Sequence, residues 1–442
     1  MSSCGVYKKY QSQTEAPKNL YGQVEEGGTS IGELSWREFF TDPVLRQLID
    51  SALAHNTDMQ SARLTVEKAQ ASLKAAKLAY LPSLSLNPQA SISSTLSSGG
   101  ALSQASYSYN IPLQLDWNIG ISNSVTVNKR KASAVLEQAK AQREATQANL
   151  ISTVAQYYYY LMLLDRQLEI LIATDSLWDE SLETQRALWE NGQSYSTAVN
   201  QMESSNLSVK MQIIDIKRSI VGVENSLCKV LAITPQPIRR NTWGQFELPT
   251  RFELGVPAEL LQNRPDIKVA DQALAEAFYN TASARAAFFP SFSLSGLLGW
   301  TNNGGLIANP GALLMQALAS LAQPIFAQGK LRANLKIAKL NQQDMLNQYV
   351  QTVIEAGNQV NEALADCQKA KDKYELYQRQ VEVLEDAYVG THELMNNGKA
   401  SYLEVLTAQE SLLSAQLNNA TNMYNGSIAL IGLYIALGGA TK

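Results

Sequence analysis

Two segments of this chain alternate apolar and polar residues almost without interruption. In the segment from Ser83 to Leu96 the apolar residues lie at even positions, and from Ala105 to Ile119 they lie at odd positions. A period of two predicts β-strands with one apolar and one polar face. The apolar positions of the second segment include Tyr107, Tyr109 and Trp117, and long strands with aromatic residues on the apolar face are typical of membrane-spanning barrels. A surface hairpin of a soluble β-sandwich has the same period, so the pattern leaves both alternatives open.

The composition narrows the choice of protein class. Charged residues make up 17% of the 442 residues, which is well below the roughly 25% of ordinary soluble proteins. The net charge of −4 argues against a nucleic-acid partner, because such a partner requires a basic surface. No stretch reaches the roughly 18 consecutive apolar residues of a transmembrane helix, so we expect none. A chain of this kind can span a membrane only as a closed sheet.

The positions of proline and glycine indicate two very long helices. All 13 prolines lie outside the intervals Asn123–Thr234 and Ile325–Lys442, and Ser124–Asn191 contains neither proline nor glycine. Because proline breaks helix interiors, Ser124–Asn191 is predicted to form one helix of about 100 Å. Leu331–Asn397 is predicted to match it. Apolar residues in the first helix follow a heptad spacing, which favours packing against other helices: Leu150, Val154, Tyr157, Leu161, Leu164, Leu168 and Leu171.

The sequence also indicates an internal duplication. Three landmarks recur after 208, 206 and 206 positions: Pro82 with Pro290, Asn123 with Gly329, and Gly192 with Gly398. Each half therefore contains a helix, two strands, a long helix, a tight turn and a return helix. The third strand is predicted over Phe288–Trp300 and the fourth around Leu313–Ile325. Four strands are too few for a membrane barrel, which needs about eight, and lipid does not tolerate an open sheet edge. If the strands span a membrane, several copies of the chain must share one barrel.

Several motifs resemble those of the outer membrane efflux family, the TolC-like outer membrane factors. Val256–Leu261 (VPAELL) followed by Arg264–Ile267 (RPDI) is similar to the family signature, and Ala287–Gly296 (AFFPSFSLSG) to its third strand. Gln323–Phe326 followed by Gly329 is similar to the end of its fourth strand. The resemblance covers nearly the whole chain and is closest to the branch that serves resistance-nodulation-division pumps.

The resemblance implies a mainly α-helical fold with a β-barrel section. It implies a trimeric α-helical barrel in the periplasm, continuous with a 12-stranded barrel in the outer membrane, with four strands from each chain and an equatorial girdle around the helices. Asn123 stands where the family usually has glycine, which affects the local turn only. The segments expected on this basis are the N-terminal lipidated and equatorial segment over residues 1–45, the helix 46–81, the first hairpin 82–120, the long helix, turn and return helix 121–234, the equatorial linker 235–264, the helix 265–288, the second hairpin 289–326, the second long helix, turn and return helix 327–425, and the equatorial C-terminal end 426–442.

The two turns at the far ends of the long helices are the candidate functional sites. Gly192 and Gly398 each follow an asparagine, where a helix commonly ends in a left-handed residue, and we expect adaptor contacts there. In the family, residues five, six and nine positions after the second glycine line the periplasmic constriction. On this sequence they are Leu403, Glu404 and Thr407. Three copies of Leu403 would form an apolar ring and three copies of Glu404 a cation-favouring ring. Ser401–Glu404 is also a capping box, which needs no pore.

Cys4 is the expected lipid anchor. Ser2-Ser3-Cys4-Gly5 is similar to the end of a lipoprotein signal, and family members often carry a lipid on such a cysteine. An incidental free thiol is the alternative, and apart from this covalent lipid we expect no cofactor. Cys228 and Cys367 are predicted to be small buried residues, although a disulfide between them stays open.

The resulting prediction is a passive exit duct and not an enzyme. The chain has only two histidines, His55 and His392, and their spacing suggests no metal site. A homotrimer would conduct drugs or other small toxic compounds from a periplasmic adaptor and an inner-membrane pump to the exterior of a Gram-negative cell. A duct for type I protein secretion is the alternative within the family. A coiled-coil scaffold without a pore is the alternative from a different class.

Overall fold

The computed structural model describes residues 8–12, 31–94, 100, 105–119, 123–242, 264–302 and 312–441. Cys4 and the signature stretch 256–261 lie outside these ranges, as do most of the expected equatorial linker and of the loops between paired strands. After a 3-10 turn at Ile31–Glu33, the helices are α1 (Trp36–Phe39), α2 (Pro43–His55), α3 (Thr57–Leu78), α4 (Ser124–Glu190), α5 (Ser196–Leu231), α6 (Pro265–Ala286), α7 (Lys330–Asn396) and α8 (Tyr402–Ala436). The strands are β1 (Ser83–Leu86), β2 (Gln89–Ser93), β3 (Ser106–Ile119), β4 (Ser291–Thr301) and β5 (Ala312–Ala322).

The two long helices form as predicted. Helices α4 and α7 contain 67 residues each, the return helices α5 and α8 contain 36 and 35, and α3 and α6 contain 22 each. A duplicated chain would produce such matched lengths. The turn before each long helix has a residue in the left-handed region, Asn123 with φ 53° and Gly329 with φ 79°. Asparagine tolerates this conformation better than most residues, which explains why it can stand where glycine is usual. No helix in the described ranges combines the length and apolar character needed to cross a bilayer.

The strands form one antiparallel sheet in which β3 pairs with β1, β2 and β4, and β4 pairs with β5. The predicted first strand is interrupted between Leu86 and Gln89, because Pro88 has no N–H to donate to the ladder. The register continues across the break, since Leu86 lies opposite Leu113 and Gln89 lies opposite Asn110. β1 and β2 therefore share one pairing register with β3, although the ladder of backbone hydrogen bonds is interrupted between them.

The register places the alternating apolar residues of all strands on one face. Residues directly opposite each other in an antiparallel ladder share a face. The apolar positions meet across the strands in these pairs: Leu84 with Leu115, Ile92 with Tyr107, Ile111 with Trp300, Leu113 with Leu298, Trp117 with Leu294, Phe292 with Leu321, and Leu298 with Met315. On the opposite face the hydroxyl groups of Ser91 and Ser108 lie 2.6 Å apart. The period of two thus holds for β1 to β3 and most of β4, whereas Leu297 of β4 and Leu318 of β5 lie on the polar face, opposite Gln114 and Ser295.

The chain divides into two compact units. The first contains the described residues within 1–13, 65–140 and 269–350, and the second contains the described residues within 14–64, 141–268 and 351–442. In the first unit, α4 packs against α6 through Val127, Ala134, Ala275, Tyr279 and Ala282. The Tyr10 hydroxyl donates to the carboxylate of Asp271 on α6 over 2.8 Å, so the described N-terminal residues pack against this helix pair.

The core of the second unit surrounds a run of four tyrosines, Tyr157–Tyr160. Tyr158 and Tyr159 are fully buried, and Tyr160 packs its ring 5.5 Å from that of Tyr424 on α8. The Tyr158 hydroxyl donates to Asp42, the N-cap of α2. Of the seven predicted seam residues of α4, Tyr157 and Leu168 are partly buried and the other five are buried. Ile151, Ala155 and Met162, which lie between seam positions, are buried as well, so this part of α4 is enclosed on more than the predicted side.

The predicted single helix over 46–81 is two helices. They are separated at Asn56, whose backbone leaves the helical region with ψ 133°. The Asn56 side chain accepts hydrogen bonds from the N–H groups of Asp58 and Met59, which caps α3, and donates to the carbonyl oxygen of Val230 over 2.9 Å. This break therefore depends on a contact with α5 that is distant in sequence.

The C-terminal end of α8 is anchored by two buried side chains. The Tyr434 hydroxyl donates to the Leu34 carbonyl over 2.9 Å and accepts from the Ala440 N–H over 2.8 Å. Burial raises the pKa of Tyr434 to about 12. The Arg264 guanidinium, 5% exposed, donates to the Ala436 carbonyl over 2.7 Å. These contacts hold the last turn of α8, which ends at Ala436 within the segment 426–442 that is expected to form the equatorial C-terminal end.

The two cysteines among the described residues are buried free thiols, which closes the disulfide alternative in this structure. Cys228 and Cys367 lie on α5 and α7. The Cys228 thiol lies 3.5 Å from the carbonyl oxygen of Gln236. Burial raises the pKa of the Cys367 thiol to about 11, so this group stays protonated at neutral pH.

Candidate functional site at the helix-hairpin turns

The helices α4 and α7 end in the same hydrogen-bonded motif. Gly192 has φ 72°, its N–H donates to the Trp189 carbonyl over 2.9 Å, and the next N–H, of Gln193, donates to the Leu188 carbonyl over 2.8 Å. These two bonds define the Schellman motif, which requires a left-handed residue at this position. The second turn repeats the motif with Gly398 (φ 71°), bonded to Met395 over 2.9 Å, and Lys399, bonded to Leu394 over 2.8 Å. The prediction that glycines end both long helices is confirmed.

The return helices begin differently. At the start of α8, one oxygen of the Glu404 carboxylate accepts from the Ser401 N–H over 2.6 Å and from the Ser401 hydroxyl over 3.0 Å. At the start of α5 the N-cap residue is Tyr195, which makes no side-chain cap, and Ala198 stands at the position of Glu404. The Tyr195 side chain is 80% exposed. Of these two turns, the second alone has a charged cap.

The capping bonds also set the protonation of Glu404. The backbone N–H of Ser401, followed by its hydroxyl, holds the pKa of Glu404 below its ordinary value of 4.5. Hydrogen bonds to a carboxylate favour its charged form. Glu404 is thus an exposed carboxylate that stays charged at neutral pH and caps the start of its own helix. This geometry agrees with the interpretation of Ser401–Glu404 as a capping box. A pore-lining role for Glu404 would require several copies of the chain around one axis.

The three predicted constriction residues lie on one exposed face of α8. Leu403 is 54% exposed, and Glu404 and Thr407 are exposed as well. Positions i, i+1 and i+4 share a helix face, whereas the intervening Val405 and Leu406 are buried. The Thr407 hydroxyl donates to the Leu403 carbonyl over 2.8 Å, so it is satisfied within its own helix. In the single chain these three side chains are therefore exposed to solvent.

Tyr402 is a residue of this site that the sequence analysis did not single out. It packs against Leu182, Val199 and Met202, a small core between α4 and α5. Its hydroxyl is buried and has no hydrogen-bond partner among the described residues. Burial, and to a smaller extent the charge of Glu410, raises the pKa of Tyr402 to about 12. The signal in the sequence was weak, because a tyrosine at the first position of a helix is normally exposed.

Ion pairs join α4 to α5 close to the first turn. Arg186 pairs with Glu203 at 3.1 Å. Further along, Lys210 on α5 lies 2.8 Å from Asp179 and 3.7 Å from Asp175 on α4. The hydrogen bond with Asp179 raises the pKa of Lys210. These pairs are solvent-exposed, so they contribute little to the stability of the hairpin.

Comparison with known proteins identifies the family. The family model described as outer membrane efflux protein matches the chain twice, at residues 48–232 and 256–439. The cation efflux system protein CusC of Escherichia coli strain K12 is 30% identical over 446 residues, which cover 99% of this chain and 97% of the relative. The probable outer membrane lipoprotein SilC of Salmonella typhimurium is 28% identical and covers 93% of this chain and 89% of the relative.

A solved structure shares the fold over almost the full length. The open state of the outer membrane channel MtrE of Neisseria gonorrhoeae superposes with a TM-score of 0.85 at 27% identity, covering 99% of this chain and 98% of the other. This similarity confirms the predicted fold class of one chain, a mainly α-helical TolC-like channel fold with a few strands. With the family model matched over most of the sequence, the chain belongs to the outer membrane efflux protein family.

Proposed function

We propose that the protein is the outer-membrane exit duct of a tripartite efflux system and works as a homotrimer. The observation that carries the proposal is the single apolar face of the sheet, together with its two free edges. Within the described residues β5 pairs only with β4, and β1 and β2 pair only with β3. Because lipid offers no partner for free backbone groups, copies of the chain must pair these edges. Three copies bring the strand number above the minimum of about eight for a membrane barrel.

The helices offer a second surface for a further copy. Four residues of α5 have the spacing of a heptad seam and are exposed in the single chain: Leu207, Met211, Ile214 and Val221. Such seams pack against neighbouring helices. An apolar stripe of this length is unfavourable in water, which supports its burial between subunits.

A charge in this seam tests the oligomer. Ile214 is 66% exposed in the single chain, so Ile214→Lys would be harmless in a monomer. In a trimer it buries an unpaired ammonium, which costs several kcal/mol, and we expect the trimer to dissociate in light scattering of the detergent-solubilised protein. Gln212→Lys, at an exposed neighbouring position, is the matched control and leaves the trimer intact. A monomeric wild type, or an unaffected Ile214→Lys trimer, would refute the homotrimer.

The constriction is proposed at Leu403, Glu404 and Thr407. Three copies of these exposed residues around one axis would place an apolar ring next to an acidic ring and a hydroxyl ring. The apolar ring would oppose the passage of ions by dewetting, and the acidic ring would favour cations. Thr407 adds no charge, so closure at this level depends on packing and not on ion pairs.

Bilayer recordings can separate the gating of Glu404 from its capping. Glutamine also serves at the third position of a capping box, so Glu404→Gln keeps the cap and removes the charge. We expect it to lower the preference for cations, whereas a residue that only caps leaves selectivity unchanged. The double variant Leu403→Ala, Glu404→Ala should raise the conductance of the resting channel. The control Leu376→Ala, Glu375→Ala makes the same changes at exposed positions of α7 and should have no effect.

The partners are proposed to be a periplasmic adaptor and an inner-membrane resistance-nodulation-division pump. The exposed turns at Gly192 and Gly398 are the proposed adaptor contacts, and the Tyr195 side chain is available for packing there. Aromatic side chains are frequent anchors of protein interfaces. Tyr195→Ala should weaken capture of the adaptor without changing the trimer, and unchanged capture would remove Tyr195 from the interface. The chain itself catalyses no reaction in this scheme, and the pump supplies the energy.

The cargo class and the lipid anchor are also proposals. CusC is by name a cation efflux protein, and we extend the cargo here to small toxic compounds or ions. SilC is by name a probable lipoprotein, which supports a covalent lipid on Cys4. Mass spectrometry of the N-terminal peptide from the native host tests this: the acyl mass should be present in the wild type and absent from Cys4→Ser.

A further inference from the structure

A cavity of about 310 Å³ lies within the second unit, between α4, α7 and α8. On α8 its first lining residue, Gln409, lies two positions after Thr407, and the lining includes none of the three proposed constriction residues. Its volume falls at the small end of the range of ligand pockets, which are mostly apolar with a few polar groups. The inner wall is apolar, with Trp178 of α4 and Leu413 of α8 almost fully buried.

One polar group of the cavity lacks a partner. Gln409 of α8 lines the cavity and is 5% exposed. Its amide nitrogen donates a long hydrogen bond to the Tyr388 hydroxyl, 3.4 Å, while its carbonyl oxygen has no partner among the residues that the structure describes. A buried acceptor without a donor is unfavourable, and such a group in a native structure calls for an explanation. A ligand N–H would satisfy it.

The charged residues of the cavity favour a cation. Arg166 pairs with Glu169 at 2.7 Å, so these two charges compensate each other. Glu385 of α7 also lines the cavity and is exposed to solvent, and it takes part in none of the ion pairs between described residues. The cavity therefore has one uncompensated negative charge, an apolar wall and a hydrogen-bond acceptor.

We propose that this cavity is a binding site for a small amphipathic amine, with a flat apolar body and a protonated amino group. The apolar body packs against Trp178 and Leu413, and an ammonium N–H donates to the Gln409 carbonyl oxygen. The carboxylate of Glu385 raises the local concentration of cations. Anions and purely polar solutes lack one or more of these interactions and are excluded from the class.

The test is a titration of the full-length protein in detergent with 1-naphthylmethylamine by isothermal calorimetry. The neutral 1-naphthalenemethanol is the matched ligand, since it keeps the ring and loses the charge. We expect the amine to bind with a Kd below about 1 mM and about tenfold more tightly than the alcohol. Gln409→Leu, which removes the acceptor, should lower the affinity for the amine by about tenfold. Leu412→Trp, which fills the cavity, should abolish binding of both ligands.

Gln368→Leu is the control protein variant, because it makes the same change on α7 at an exposed glutamine that does not line the cavity. If Gln409→Leu fails to fold, the same titration is carried out on Leu412→Trp and Glu385→Gln. Leu412→Trp should bind neither ligand, and Glu385→Gln should lose the preference for the amine over the alcohol. Absence of amine binding to the wild type, or binding that Gln409→Leu and Leu412→Trp leave unchanged, would overturn the site. Binding is measured without current through the protein, so it is independent of whether the duct function is correct.

Discussion

Arg264 provides a demanding test of how the second unit is held together. Its guanidinium is buried and joins three elements: it donates to the Asp266 carboxylate at the start of α6, to the side-chain Oε1 of Gln359 on α7 over 2.6 Å, and to the backbone carbonyl of Ala436 at the end of α8 over 2.7 Å. Arg264 is the first residue of the Arg264–Ile267 motif, immediately before α6. Replacing it with methionine keeps most of the apolar stem and removes every donor.

The magnitude follows from the separate bonds. A hydrogen bond from a charged donor contributes about 1.5–3 kcal/mol, and the bond to Ala436 leaves a buried acceptor behind when it is lost. Gln359 is exposed, so water replaces the donor there and this bond adds at most about 1 kcal/mol. The Asp266 side chain is 43% exposed, so water replaces its partner and that pair adds at most about 1 kcal/mol. We expect Arg264→Met to destabilise the end of α8 by about 3 kcal/mol, which corresponds to a change of about a hundredfold in the opening equilibrium.

Hydrogen exchange by mass spectrometry measures this opening locally. Peptides that cover residues 430–437 should exchange about a hundredfold faster in Arg264→Met, while peptides from the first unit should be unchanged. Arg37→Met is the matched control, because Arg37 pairs with Asp50 at 2.6 Å on the surface and its loss should cost less than about 1 kcal/mol. Exchange in Arg264→Met within about twofold of the wild type would refute the assignment of this arginine as a clamp.

Two further predictions concern the C-terminal anchor and the second turn. Tyr434→Phe removes a hydroxyl that bridges two backbone groups, so the unfolding free energy should fall by about 2 kcal/mol in urea denaturation; Gly439→Ala should be destabilising too, because its added Cβ would lie 2.3 Å from the Tyr434 ring. Equal midpoints for Tyr434→Phe and the wild type would contradict the first estimate. For Glu404, whose pKa is lowered from 4.5 in the folded protein, the charged cap stabilises fully above pH 4.5, and this contribution is lost as the pH falls through the lowered pKa. Protection of the amides at the start of α8 should therefore decrease in acid, and the start of α5, with Ala198 at the equivalent position, should show no such titration.

The periodic features of the chain were predictable because they follow from local rules. A helix without proline or glycine continues until a glycine ends it, as at Gly192, and a strict alternation of apolar residues allows one face only, as in β3. The interruption of the first strand was also implied by Pro88, although the alternation alone suggested a continuous strand. The restart of α8 followed from the Ser401–Glu404 box, since both bonds are made within one turn.

Other features depend on residues that are distant in sequence. The break at Asn56 is stabilised by a bond to the Val230 carbonyl on α5, and no local pattern specifies that partner. Tyr402 is partly buried because its ring packs against the small core between α4 and α5, and the cavity at Gln409 exists only where three helices meet.

The sequence alone determined the element types, the lengths of the two long helices, the apolar face of the sheet and the family, since periodicity and turn residues act within a few positions of the chain. The tertiary structure decided which polar groups are paired, which are left without a partner among the described residues, and which apolar seams remain exposed in the single chain. Those outcomes depend on how distant segments fit together in space, and the free energy of each buried polar group is set by that fit and not by its neighbours in the chain.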